Sequence, residues 1–204
     1  MHTPLHNLDH KQRYKLLTSS VVPRPIALVT TVDDEGNGNA APFSYFNLMG
    51  ATPPVVALGI NSRRTGGPKD TLHNIQSNGE FVVNLVNEEM AGRMNECATD
   101  FAPGEDELQL VGLTRTESIE VRPSLIAESP VSLECRRIHS LDVGSGRHII
   151  IGSILHFHIK DEFFDPERSY VLAEKMRLIA RMHGRSWYST TNDLFEIDRP
   201  KNYI

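Results

Sequence analysis

The sequence predicts a mainly β fold, a closed or nearly closed antiparallel barrel with a few peripheral helices. Three observations carry that prediction. Short apolar runs of strand length recur about six times between Ile26 and Ile159. They do not alternate with helical patterns in the strand–helix rhythm that builds a doubly wound parallel sheet. No internal repeat, low-complexity tract or Pro- or Ser-rich linker divides the chain, so residues 1–204 are expected to form one domain, with 1–20 as an N-terminal extension.

Taken in order, Ile26 to Val32 reads IALVTTV, a β-branched run that reads as a buried strand. The turn cluster Asp33 to Asn39 follows, and Ala40 to Leu48 returns as a second strand, which makes a hairpin. Val55 to Ile60 and Phe81 to Val86 are further strands, separated by a polar stretch and a short helical pattern from Asp70 to Gln76. Glu88 to Asn95 looks helical, and Ala98 to Val111 reads as a surface excursion. Ser132 to His139 and His148 to Ile159 are the strands of the second half. In the latter, Ile149, Ile151, Ser153, Leu155, Phe157 and Ile159 make one face the greasier. Val171 to His183 has apolar residues broadly at helical spacing and reaches Gly184 in a C-cap position.

Composition narrows the function classes. Lys plus Arg number 21 against 26 Asp plus Glu, a net charge of −5, so no overall field draws the chain towards nucleic acid or anionic lipid. Hydrophobic residues at 39% and charged residues at 23% are ordinary globular usage, unlike a disordered chain. Cys97 and Cys135 lack the paired spacing of a zinc or dithiol motif and are read as reduced thiols. The first residues have no apolar signal-peptide core, and no apolar run approaches a membrane span. A soluble cytoplasmic protein without a membrane or nucleic-acid partner is expected.

Several segments carry chemistry-bearing residues. Ser62 to Ile75, SRRTGGPKDTLHNI, gathers cations, glycines and hydroxyls just before a helical pattern. Unpaired N–H groups at a helix start favour an anion, so Asp70 or Thr71 at the cap, with Lys69 and Arg63 nearby, makes a candidate phosphate site. The same residues also serve as an ordinary cap beside solvated cations. There is no GxxxxGK[ST] loop, and no GxGxxG follows a strand and opens a helix. Asn39 to Asn47, NAAPFSYFN, sets small residues and Pro42 between aromatics. That suits either a flat ligand lying on the backbone or an edge strand with Phe43 and Phe46 in the core. Ser44 has no hydrolase context. His156 and His158 share a strand face but have no evident third ligand, so no metal site is assigned. Glu134 to Arg137 reads as a strand with its charged residues outside.

The ordered set PRPIALVTT (Pro23 to Thr31), NAAPFSYFN (Asn39 to Asn47), PPVVALGI (Pro53 to Ile60), KDTLHNI (Lys69 to Ile75) and EFVVNLV (Glu80 to Val86) resembles the flavin reductase-like, FMN-binding split-barrel family. SPVSLEC (Ser129 to Cys135), IIIGSIL (Ile149 to Leu155) and RMHGRSWY (Arg181 to Tyr188) continue the resemblance over nearly the whole chain. It implies a six-stranded antiparallel Greek-key split barrel with added helices, forming a homodimer with FMN near the interface.

By the family pattern, Thr31 and the backbone of Ala41, Pro42, Phe43 and Ser44 would lie along the flavin. Arg24, Ser44 and Asn61 would make polar contacts to it, and Lys69 and Thr71, beside Asp70, would face the phosphate. Arg181, Gly184 and Tyr188 match a closing motif that completes the pocket. Some relatives carry Gly-Asp-His before the last long strand. Here Gly146-Arg147-His148 keeps the histidine, a candidate catalytic residue on the nicotinamide side, and lacks the acid. The implied activity is reduction of the flavin by NADH or NADPH through hydride transfer to N5. Electrons would then pass to free flavin, a partner oxygenase or another acceptor protein. The alternative is a flavoredoxin-like electron carrier that nicotinamide does not reduce directly.

Overall fold

A computed structural model describes residues 2–63, 66–99, 101, 106–198 and 200. Arg64 and Thr65 of the basic stretch, and 100 and 102–105 of the Ala98–Val111 excursion, lie outside the described residues. The first half runs α1 (His10–Ser20), β1 (Arg24–Pro25), β2 (Ala27–Val32), β3 (Gly38–Phe43), β4 (Phe46–Ala51), β5 (Pro54–Ile60), α2 (Asp70–Asn78), β6 (Glu80–Leu85) and α3 (Ala91–Glu96). Then come α4 (Glu107–Leu110), β7 (Arg115–Thr116), β8 (Leu125–Ile126), β9 (Val131–Asp142), β10 (His148–Ile159), β11 (Phe164–Asp165), β12 (Tyr170–Val171), α5 (Ala173–Met176), β13 (Ile179–Arg181) and β14 (Tyr188–Thr190). No helix among the described residues is long and apolar enough to cross a membrane.

The fold is mainly β, built on one antiparallel sheet of seven strands in the order β3-β2-β6-β9-β10-β5-β4. The pattern predicts six strands. The seventh arises because the expected strand Ala40–Leu48 is broken at Ser44–Tyr45 into β3 and β4, which pair with different neighbours. That break dictates the shape. A flat sheet would hold its edges about 29 Å apart, at roughly 4.8 Å for each of six steps. The chain from Phe43 to Phe46 reaches only about 10 Å. The sheet must therefore roll until β3 and β4 approach, although no ladder joins them and the barrel is not closed. The Tyr45 carbonyl accepts from Gly59 N at 2.7 Å, which extends the pairing of β4 with β5 by one residue.

Two apolar clusters explain the hydrophobic runs. Ala27, Val29, Phe43, Val56, Leu58, Phe81, Val83 and Ile150 pack together with Leu72 and Ile75 of α2. Ile26 and Leu28, from the other face of the same stretch, join Ala40, Met90, Met94 and Leu108 beneath α3 and α4. The β2 stretch is thus buried on both faces, which is why it reads as a continuous apolar run rather than an alternating one. The excursion after Ala98 is also more than surface, since Leu108 and Val111 belong to the second cluster.

Several expectations are corrected. The greasier set of β10 is split between inside and outside, with Ile159 packed against the core. Ile150 and Gly152 are buried, whereas Leu155 and Phe157 are 38% and 50% exposed. The predicted helix Val171–His183 shrinks to α5, which ends at Arg177 in left-handed conformation, φ 49°. Ile179–Arg181 then pairs with both β1 and β14, so Gly184 turns a β connection rather than capping a helix. Glu134 lies inside rather than outside, with 0% exposure. His158 is bonded to it, Nε2 to Oε1 at 2.5 Å. No group of three His, Cys, Asp or Glu among the described residues is placed to hold a metal ion.

Candidate functional site

The site lies along β3, at the start of α2 and beneath α1. Neither Asp70 nor Thr71 caps α2. Lys69 occupies the N-cap and its side chain makes no capping bond to the first turn, whose N–H groups face the site. Asp70 instead pairs with the Arg63 guanidinium. Gly79, in left-handed conformation at φ 79°, ends the helix.

Two cavities meet at Pro42 and Lys69. The first, of about 180 Å³, is walled by Pro42, Phe43, Ser44 and Tyr45, with Asn61 and Gly59 behind. Arg24, Lys69 and Arg181 supply its cations, and Tyr14 and Thr18 of α1 complete it. Lys69 Nζ stands 5.4 Å from the centre of the Phe43 ring. The second cavity, of about 290 Å³, extends from Ala40, Ala41 and Pro42 past Lys69, Asp70 and Thr71 to Glu107.

Register explains how distant segments converge. Arg24 on β1 lies opposite Arg181 on β13, which lies opposite Tyr188 on β14. Arg24 Nη1 donates to Thr18 O and Val21 O, both at 2.7 Å, which ties the end of α1 to the cleft. Its Nε is buried and has no partner among the described residues. Arg181 Nη2 donates to Arg185 O at 2.5 Å and to Gly184 O at 3.4 Å, and its guanidinium lies 4.7 Å from the Tyr188 ring centre. Gly184 and Tyr188 thereby shape Arg181 without lining the cleft themselves. Burial pushes the Tyr45 hydroxyl above the usual tyrosine range, Tyr14 adds to this, and Arg24 and Arg147 oppose it.

Of the residues singled out in the sequence, Arg24, Ala41, Pro42, Phe43, Ser44, Asn61, Lys69, Asp70, Thr71 and Arg181 are brought together around the two cavities. Thr31 is not among them. It is buried beneath α2, where its hydroxyl accepts from Asn74 Nδ2 at 3.0 Å. His148 lines neither cavity and sits beside Gln76, Nε2 to Nδ1 at 3.5 Å. Arg147 is exposed and meets His10 of α1 at 3.2 Å. Tyr14, Thr18, Tyr45, Asn39 and Glu107 are site residues that sequence reasoning missed. For Tyr14 and Thr18 a signal was present, because Asp9 and Gln12 form a capping box that announces α1.

The flavin reductase like domain matches residues 18–176 of the chain. An uncharacterized protein of Deinococcus radiodurans is 42% identical over 203 residues, covering 97% of this chain and 89% of its own. Among solved structures, the 2-nitrobenzoate 2-nitroreductase NbaA of Pseudomonas fluorescens superposes with a TM-score of 0.89 at 34% identity, over 100% of this chain and 98% of that one. Nitrilotriacetate monooxygenase component B of Bacillus cereus gives 0.90 at 31% identity, over 97% and 98%. With the domain match spanning most of its length, this chain belongs to the flavin reductase-like family.

Proposed function

We propose that the chain is a flavin-dependent oxidoreductase that holds FMN along β3 and the start of α2, is reduced by NADH or NADPH, and passes electrons to free flavin or another acceptor. The observation that carries this reading is the pair of cavities meeting at Lys69, at the uncapped start of α2. The residues present fit a flavin nucleotide. The N–H groups of the first turn of α2, together with Lys69, suit a phosphate. The small residues Ala41 and Pro42 let a flat ring approach the backbone, and the orphaned Arg24 Nε gives a polar ring edge a donor in a buried wall.

A bound flavin supplies hydride acceptance at N5 and onward electron transfer. The chain's own residues supply the rest. Lys69 and the first turn of α2 hold the anionic end, Ser44 and Asn61 orient the ring, and Tyr14 and Thr18 shield it from water. Arg181, fixed by its bonds to the 184–187 turn, keeps a positive charge at the rim. Thr31 acts through Asn74 as a support for α2. The relatives' names, a nitroreductase and a monooxygenase component, favour a small nitroaromatic or a partner oxygenase as acceptor. A homodimer is part of the proposal and is supported by the exposed apolar side chains Leu48 and Met49 on β4 and Leu155 and Phe157 on β10. A cytoplasmic setting suits Cys97 and Cys135, both free and buried.

Adding NADH or NADPH anaerobically to the FMN-loaded protein should bleach the visible flavin bands. A spectrum unchanged by either dinucleotide but bleached by dithionite would reject the reductase and leave an electron carrier.

A further inference from the structure

Beside the start of α2, three side chains stand in line. Glu107 Oε2 accepts from Ala40 N at 3.2 Å. The Asn39 amide bridges the gap beyond, with one end 3.0 Å from Thr71 Oγ1 and 3.2 Å from Ala40 N, and the other 3.2 Å from Glu107 Oε1. Thr71 is buried in the first turn of α2, and all three residues line the larger cavity.

An amide has a donor end and an acceptor end, so this line has two arrangements. With a proton on Glu107, the carboxyl O–H donates to Asn39 Oδ1 and Asn39 Nδ2 donates to Thr71 Oγ1. The Thr71 hydroxyl proton is then free to donate into the cavity. With Glu107 ionised, the amide turns over. Its nitrogen donates to the carboxylate and its oxygen accepts the Thr71 proton, so Thr71 offers the cavity only lone pairs. The proton that decides between the two comes from solvent.

We propose that Glu107, Asn39 and Thr71 form a relay that switches Thr71 between donor and acceptor towards a phosphate at the start of α2, making the preference for a phosphorylated flavin depend on pH. The inference rests on the phosphate placement proposed above. Glu107 and Asn39 act as positioning residues, since neither needs to touch the ligand.

The surroundings pull both ways: burial of Glu107 favours the protonated arrangement, and the Ala40 N–H facing the Thr71 end of the Asn39 amide favours the ionised one. Burial raises the Glu107 carboxyl above the ordinary glutamate range; its own N–H and that of Ala40 oppose this, and Asp70 and Asp106 raise it further. Asp70 is itself paired with Arg63, and Asp106 with Arg115. On α3, burial pushes the Cys97 thiol up to about 12, so it stays neutral, and Glu96 is a further carboxylate near it. Lys69, His73 and Asp33 are the other charged or titratable groups among the described residues lining the cavity. A phosphate dianion placed there adds repulsion that also favours a neutral Glu107.

The test is the ratio of FMN to riboflavin affinity, followed by flavin fluorescence from acid to alkaline pH in the wild type, Glu107→Gln and Thr71→Val. In the wild type the ratio should fall as pH rises. Glu107→Gln fixes an amide donor towards Asn39 and should hold the ratio about tenfold above the wild type at the alkaline end, the scale of a hydrogen bond to a charged group. Thr71→Val should have a low ratio that lacks this component. Whatever His73 and the ionisation of the ligand phosphate contribute persists in Glu107→Gln, so the difference between profiles isolates the relay. Overlaying profiles of wild type and Glu107→Gln would overturn the relay alone. Should Glu107→Gln fail to bind riboflavin, a wild-type profile in Thr71→Val would overturn it instead. A wild-type ratio near one at every pH overturns the phosphate placement, and the relay with it.

Discussion

Glu134 shows how much one carboxylate can organise. It accepts from the backbone N–H groups of Ile119, Glu120 and Val121 at 2.9, 2.6 and 3.1 Å, and His158 Nε2 completes its shell. Burial alone would raise its pKa, but these donors outweigh burial and hold it below the ordinary glutamate value. A carboxyl lowered on folding stabilises the native state above its unfolded value, about 4.3, and loses that contribution as pH falls through the folded value. Glu134→Gln turns an amide N–H towards backbone donors and should cost about 2 kcal/mol at neutral pH. The gap in Tm between the wild type and this variant should shrink in acid. Equal gaps at neutral and acid pH would show that ionisation of Glu134 does not matter. This role was not legible in the sequence, where Glu134 lies beside Cys135, Arg136 and Arg137 and reads as an outward charge. Its partners come from the 119–121 loop, which no local pattern brings over β9. Lys69 and Thr71, by contrast, were legible because the helix start that positions them is a local feature.

At the level of elements, β10 is packed tightly against β6. A Cβ added at Gly152 would come 2.5 Å from Phe81 Cζ and 2.9 Å from Cε1, and Phe81 is fully buried. Register shifts between Ile151 and Gly152 and between Ile154 and His156 bend the strand at this contact. Gly152→Ala should therefore destabilise by about 1–3 kcal/mol through overpacking, seen as a lower urea midpoint with an unchanged m-value. A midpoint equal to that of the wild type would mean the ring shifts at no cost. Elements marked by an unbroken apolar run or a clear helical pattern, such as β2, β6 and α2, were readable within a residue or two. The segment after Tyr170 was not. Its spacing of Val171, Leu172, Met176, Ile179 and Ala180 imitates a helix, but the second group is buried by strand pairing with β1 and β14. Tertiary pairing overrides a weak local pattern there.

For the molecule as a whole, the outward apolar side chains are the feature that a single barrel does not account for. Leu48 and Met49 on β4 are 54% and 56% exposed, and Ile138 and Leu141 on β9 are each 50% exposed. With Leu155 and Phe157 on β10, they are exposed apolar side chains on β9, β10 and β4, of which β9 and β10 are neighbours and β4 lies beyond β5; exposed apolar groups of this kind mark interaction surfaces. The proposed homodimer predicts a solution mass about twice the 22.9 kDa of the chain. Phe157→Asp should shift it towards monomer in light scattering, with the far-UV circular dichroism kept. A wild-type monomer at micromolar concentration would count against this assembly. The order of strands along the chain and the hairpin of β2 with β3 could be read from the sequence; the pairings between strands distant in the chain could not. That depends on the break at Ser44–Tyr45, where one apparent strand turns into the two rims of the sheet.

Those rims have a mechanical consequence. Since β3 and β4 share no ladder, widening the slit between them ruptures no row of interstrand bonds. Phe43, Ser44 and Tyr45 stand at the corner of that slit and also wall the smaller cavity. A planar guest can therefore be admitted by parting the barrel along its unstitched side while the other six strand junctions stay intact.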